Sequence, residues 1–246
     1  MSTRSETPTF IFDIDQTLAG GLMLLHLQHY NRSLSLEMSE AEILEASQTY
    51  AKTFDVPQII DYRKENEEKF QNERAYLRTS PDLHRALAPI DGAKAGIDML
   101  SAYASDIRYY SVRPQEVTEA TTDWLHVHAF ISAAELVICV SPKDKLERVV
   151  EIATKKGTQV VLIDDSLKDL LNAAVELAAE ASPLVNDFSQ LTLVGFGYDD
   201  PAVQELLANR GESIGIEVCA LPSWETGAVM GLIAKLQFVP IPAKRS

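Results

Sequence analysis

The stretch Phe10-Ile11-Phe12-Asp13-Ile14-Asp15-Gln16-Thr17-Leu18 decides the fold. Its first three residues are aromatic or β-branched and apolar on both faces, the composition of a buried β-strand. The apolar run stops at two aspartates one residue apart. Strand residues alternate sides, so Asp13 and Asp15 would share a side if the strand ran on straight. Gln16-Thr17 and then Gly20-Gly21 instead mark its turn into a loop. Two carboxylates at the end of a buried strand are costly unless a cation or substrate neutralises them. In an open α/β sheet, that strand end is also where ligands bind. The stretch points to a metal-assisted enzyme.

Outward from it, the chain from Pro89 onward alternates short apolar strands with helices. Strands are predicted at 107–110, ending at Ser111, and at 135–140, 159–163, 191–196 and 216–221. Helices are predicted from Asp91-Gly92 to 104, from Pro114 to about 128, from Pro142 to 156 and over 167–181, with two more starting at Pro201 and Trp224. Ser141 is placed to cap the helix that Pro142 opens, and Gly157 to end it. This alternation implies a parallel sheet covered on both faces, an α/β fold of the Rossmann-like, doubly wound kind. Right-handed crossovers align the strand carboxyl ends along one edge. Asp13, Ser111, the segment 141–145 and Asp164 all fall at those ends.

Residues 22–88 differ in character. Ser39-Glu40-Ala41-Glu42 has the spacing of a capping box and opens a helix expected to reach Phe54. Pro57 opens another through the charged stretch 61–78, which reads as a solvated helix face, and Ser80-Pro81 ends it. No strand signal interrupts. The expected organisation is a helical domain, 22–88, set into an α/β core of 1–21 and 89–246.

The 246 residues are 46% hydrophobic, ordinary for a globular protein. The formal charge of −14 disfavours nucleic-acid and anionic-membrane partners. No apolar run is long enough to span a membrane, and the polar first nine residues do not read as a secretory signal. Cys139 and Cys219 lie in apolar runs and are expected to be free thiols in a reducing cytoplasm. A monomer or homodimer is expected.

An aspartate pair alone is a weak signal. Here it precedes, in order, a strand ending in Ser111, a helix starting at Lys143 or Lys145, and a strand ending in Asp164-Asp165. This set resembles the four motifs of the haloacid dehalogenase superfamily, and specifically its phosphatases. Residues 12–18 are similar to the first motif, DxDx(T/V)(L/V). Ser111 matches the hydroxyl of the second, a lysine the third and Asp164-Asp165 the acidic fourth. The likeness covers about 9–22 and 89–182. Gln16 departs from it, since glycine is common at that position.

The resemblance implies a Mg²⁺-dependent phosphoric monoester hydrolase acting on a small phosphorylated metabolite. Asp13 would attack phosphorus and form an aspartyl-phosphate, with Asp15 as general acid and then base. Asp13, Asp15 through its carbonyl, Asp164 and Asp165 would hold Mg²⁺, a hard cation suited to oxygen donors. Ser111 and a lysine would hold the phosphoryl oxygens, with Arg113 as a further substrate contact. Lys145 is preferred because it directly precedes the apolar-periodic Leu146, Val149 and Val150, with Lys143 the fallback. The helical insert has the place of a mobile cap hinged near Gly20-Gly21, with Tyr62, Arg63, Lys64 and His84 as candidate contacts. His26, His29, His126 and His128 show no catalytic or metal spacing. A phosphomutase and a non-catalytic binding module on the same fold are the alternatives.

Overall fold

The computed structural model describes residues 7–49 and 53–241. The opening apolar run forms β1 (Thr9–Phe12), wholly buried. The chain leaves it through β2 (Ala19–Gly20) into the helices α1 (Leu22–Leu34), α2 (Glu40–Thr49), α3 (Pro57–Thr79) and α4 (Pro81–Arg85), and returns through β3 (Ala88–Pro89). After α5 (Ala93–Ser101) comes the regular alternation: β4 (Asp106–Ser111), α6 (Thr118–Val127), β5 (Leu136–Ile138), α7 (Pro142–Lys156), β6 (Val160–Asp164), α8 (Leu167–Ala179), β7 (Leu191–Phe196), α9 (Pro201–Glu212), β8 (Glu217–Leu221) and α10 (Thr226–Leu236).

The six long strands form one sheet in the order β5-β4-β1-β6-β7-β8, every pair parallel. The chain builds outward from β1 to one side, then returns to its other side. That reversal creates a crevice at the carboxyl end of β1, the usual ligand position in a doubly wound sheet. Alternation along β1 feeds two cores. Phe10 and Phe12 pack into one face with Ile97, Trp124 and Leu232, while Ile11 joins Leu146, Val149 and Leu170 on the other. A third cluster, including Leu27, Tyr30, Ile59, Phe70 and Leu77, belongs to the inserted helices.

Several boundaries depart from expectation for local reasons. The capping box forms, with Ser39 N donating to Glu42 Oε2 (2.7 Å) and Glu42 N to Ser39 Oγ (3.3 Å). Its helix ends at Thr49, residues 50–52 lie outside the described set, and Thr53–Asp55 is a separate 3₁₀ turn. The expected strand 135–140 shrinks to three residues at the sheet edge. Its last amide, Val140 N, donates to Asp144 Oδ2 (2.9 Å), serving the cap of α7 and not the ladder. Pro114 opens a 3₁₀ turn, Gln115–Val117, before α6 begins. The β2–β3 pair was not anticipated: two antiparallel strands form the paired crossing between sheet and insert. Among the described residues, no helix is long and apolar enough to cross a membrane.

Candidate active site

Asp13 stands one residue beyond β1, its amide still donating to Ile163 O of β6 (2.9 Å). The chain then makes a single tight turn in which the amides of Leu18 and Ala19 both donate to Ile14 O (2.9 and 2.8 Å). Gln16 sits in that turn at φ 57°, in the left-handed region that glycine enters most cheaply. The turn is pinned from two sides. Trp224 Nε1 donates to Thr17 O (2.7 Å), and Asp165 N donates to Thr17 Oγ1 (3.1 Å).

Lys145 completes the centre. Ser141 caps α7 by accepting from Asp144 N (3.1 Å), and Pro142 occupies its first turn. At 3.6 residues per turn, Lys143 and Lys145 point about 200° apart. Lys145 shares the buried face with Leu146 and Val149, and its Nζ donates to Asp13 Oδ1 and Asp164 Oδ2, both at 2.5 Å. Lys143 points outward to Glu176 (3.1 Å) and Glu180 (2.7 Å) on α8. The choice between the two lysines falls on Lys145.

Asp13, Asp164 and Asp165 can each turn an oxygen to within 4.8 Å of the others. Asp164 Oδ1 also accepts from Ser166 N (2.7 Å). These carboxylates share a single ammonium. Burial, opposed by Lys145 and reinforced by the neighbouring carboxylates, holds Asp13 well above the ordinary range. Burial and then the Asp164 charge push Asp165 to about 7. Burial alone would pull Lys145 down, but Asp13 and Asp164 outweigh it and hold it up. The centre is short of positive charge, and its donors are all hard oxygens. That donor set fits a divalent cation such as Mg²⁺.

Asp15 is held apart from this cluster. Arg113 donates to it twice, Nη2 to Oδ1 (2.6 Å) and Nε to Oδ2 (3.0 Å), and its Nη1 donates to Thr121 Oγ1 (3.0 Å). Burial raises the Asp15 carboxyl, but the Arg113 guanidinium outweighs it and keeps the group below the usual carboxylate range. Arg113 is thus engaged within the protein. It is 3% exposed, engaged by Asp15 and Thr121, and absent from the cleft wall. Ser111, at the end of β4, does line that wall with Asp13, Lys145, Asp164 and Asp165, around a cleft of about 210 Å³. Its Oγ accepts from Arg113 N (3.3 Å).

The four candidate cap contacts have protein partners of their own, and His84 lies close enough to Asp15 and Arg113 to feel their charges. Arg63 pairs with Glu67 (3.0 Å), Lys64 with Asp61 (2.6 Å), and Tyr62 packs on the insert's own cluster. His84 is buried, not superficial, with Nε2 2.9 Å from Arg78 O. Other residues of the insert, among them Met23, His26, Tyr30, Arg74 and Arg78, line a second cavity that shares Gln16 and Asp165 with the cleft.

Solved structures of similar overall fold include several of one family. A haloacid dehalogenase-family hydrolase from Deinococcus radiodurans R1, solved with bound phosphate and sodium, superposes with a TM-score of 0.55 at 16% identity, covering 96% of this chain and 100% of that one. A haloacid dehalogenase-like protein from Agrobacterium tumefaciens gives 0.54 at 14% identity, covering 94% and 100%. The chain has the haloacid dehalogenase-like fold. A predicted phosphatase from Clostridium acetobutylicum aligns similarly, with a TM-score of 0.53 at 14% identity over 95% of this chain and 99% of that one. No protein-family model and no curated protein matches the sequence.

Within this haloacid dehalogenase-like frame, three supporting residues had no assigned role in the sequence: Thr17, Thr121 and Trp224. Thr17 is wholly buried directly after a polar turn residue, an unusual place for an unpaired hydroxyl and so a signal of a partner. Trp224 was read only as a helix start, whereas its ring fills the core beside Phe12 and Phe196.

Proposed function

We propose that this chain is a divalent-cation-dependent phosphatase that hydrolyses small phosphate monoesters through an aspartyl-phosphate on Asp13. The observation carrying the reading is the division of labour between the two motif aspartates. Asp13 lies on Lys145 beside Asp164 and Asp165, while Asp15 is held separately by Arg113. Separate partners let the two carboxylates differ in proton affinity, as two distinct roles require. The Deinococcus protein of the same fold was solved with bound phosphate, which agrees with phosphoryl chemistry on this fold.

Asp13, Asp164, Asp165 and the Asp15 carbonyl would hold Mg²⁺, which when bound screens the repulsion between a carboxylate and an anionic ester. The ammonium of Lys145 and the hydroxyl of Ser111 stabilise the phosphoryl oxygens as charge moves onto them. Asp13 forms the new bond to phosphorus as the P–O bond to the alcohol breaks. Asp15, which Arg113 keeps ionised in the free site, first takes up a proton as the ester binds, gives it to that departing oxygen, and as a carboxylate again takes one from the water that cleaves the acyl phosphate. Arg113 orients Asp15 and does not touch substrate. The inserted helices act as the cap, moving on the β2–β3 crossing beside Gly21 at φ 79°. The acidic surface and the buried Cys139 suit a cytoplasmic enzyme of this kind.

The test is phosphate release from a panel of monoesters with and without Mg²⁺. Turnover that requires the cation and is abolished in Asp13→Asn supports the proposal. Wild-type rates no higher than those of Asp13→Asn under every metal condition overturn it.

A further inference from the structure

Beside the catalytic cleft lies a second cavity of about 520 Å³, walled by α1, α2, α3 and the Thr53–Asp55 turn. Its size is within the roughly 300–1,000 Å³ of small-molecule sites. It shares the lining residues Gln16 and Asp165 with the cleft, so the two adjoin. Tyr30 and Phe54 give it aromatic surface. Arg74 and Arg78, four residues apart on α3 and therefore on one helical face, also line it.

These two guanidiniums stand out on their helix. Arg63 and Lys64 are neutralised by Glu67 and Asp61, and the neighbouring Glu73 is taken by His29 (2.6 Å). Among the described residues, no carboxylate pairs with Arg74 or Arg78. Arg74 instead lies over the Phe54 ring, 5.6 Å from its centroid. In a chain of net charge −14, two unneutralised arginines facing a cavity are an anion-recognition element.

We propose that Arg74 and Arg78 form a specificity subsite for a second anionic group on the substrate's leaving alcohol, either a carboxylate or another phosphate. The inference rests on the phosphatase reading and names its substrate class. The phosphoryl end sits at Asp13, Ser111 and Lys145. The body of the molecule passes Gln16 and lies along Tyr30. Its far anion meets the two guanidiniums.

The experiment compares matched esters with Mg²⁺: phosphogluconate against glucose phosphate, and fructose bisphosphate against fructose monophosphate. Wild type should favour the more anionic member of at least one pair by tenfold or more in kcat/KM, and the pair that responds identifies carboxylate or phosphate. The double variant Arg74→Gln/Arg78→Gln should lose roughly tenfold to a hundredfold on the favoured ester, the scale of charge-assisted hydrogen bonds. Its turnover of p-nitrophenyl phosphate should stay within about twofold, because that ester carries no second anion. No preference in wild type, or a preference the double variant keeps, overturns the subsite. The same esters are titrated calorimetrically into Asp13→Asn protein with and without the two glutamines. If no ester is turned over, the phosphatase reading falls and this titration judges the subsite alone. Tighter binding of an anionic ester that the glutamines weaken tenfold supports it; equal or undetectable binding overturns it.

Discussion

Arg113 grips Asp15 through two nitrogens, at 2.6 and 3.0 Å, although 98 positions of sequence separate them. The pair fixes both the direction and the proton affinity of the carboxylate. A lysine could supply the charge but not the two-pronged geometry. Arg113→Lys should therefore lower kcat at least about tenfold, part of the roughly 10²–10⁴-fold attributed to a positioned acid–base group. Because Arg113 holds the Asp15 carboxyl down, loosening it lets burial raise that carboxyl. The limb of the pH–rate profile belonging to Asp15 should move to higher pH, whichever protonation state limits the rate. A lower kcat with an unmoved profile would show that Arg113 acts only as scaffold.

Lys145 compensates two buried carboxylates at once. Lys145→Met keeps the volume but leaves Asp13 and Asp164 facing each other without their cation. Removing one partner of a buried pair typically costs about 3–5 kcal/mol. Urea unfolding in EDTA should show a loss of that order. Mg²⁺ should return part of it, since a bound cation stabilises the folded state and would replace some of the missing charge. An unchanged unfolding midpoint in EDTA would mean that the carboxylates are already neutralised by protons.

Which of these relationships could be read in the sequence depends on their range. The sheet was legible because Phe10-Ile11-Phe12 and its counterparts are short apolar runs between capped helices. Lys145 was legible because it extends the apolar stripe of an amphipathic helix. Arg113 was legible only as the neighbour of Ser111, which suggested a phosphate contact, because its partner Asp15 is fixed only by tertiary packing. The β2 and β3 strands are two residues each, too short to display a period of two. Arg74 and Arg78 lie in a charge run that reads as solvated surface, and their inward face appears only once α1 packs across α3. Gln16 was noted as a departure from glycine, and its positive φ supplies the physical reason why glycine suits the place.

His26 gives acid sensitivity to the insert. Burial, with His84 and His29 adding to it against the opposing Asp15, lowers its pKa from 6.5 to about 4. Between those values the unfolded chain takes up a proton that the folded chain refuses. Its neutral-form contribution is thus complete above 6.5, falls as pH drops, and levels off below about 4. His84 is lowered in the same direction. At pH 5 the His26 contribution should amount to about 2 kcal/mol of lost stability relative to neutral pH. His26→Gln cannot take up that proton. Urea unfolding at pH 7.5 and 5.0 should show the variant losing less stability than wild type by about that amount, and equal losses would remove His26 as the cause.

Trp224 connects the C-terminal strand–helix pair to the turn after Asp13. Its indole donates to Thr17 O (2.7 Å), and its ring lies against Gly96 so closely that a Cβ there would overlap ring carbon Cε3. Two substitutions separate these contributions. Trp224→Phe retains most of the packing but leaves Thr17 O without its buried donor, a loss of about 1–3 kcal/mol. Because Thr17 also receives the amide of Asp165, the variant should lower kcat as well as stability. Gly96→Ala gains up to about 1 kcal/mol of helix propensity but forces the ring to shift, at about 1–3 kcal/mol. Its net effect should be destabilising, and the displaced indole should weaken the same hydrogen bond. Thermal unfolding and steady-state kinetics on both variants check this together. If Gly96→Ala raises Tm, or Trp224→Phe loses stability with kcat intact, then Trp224 serves the core and not the turn after Asp13.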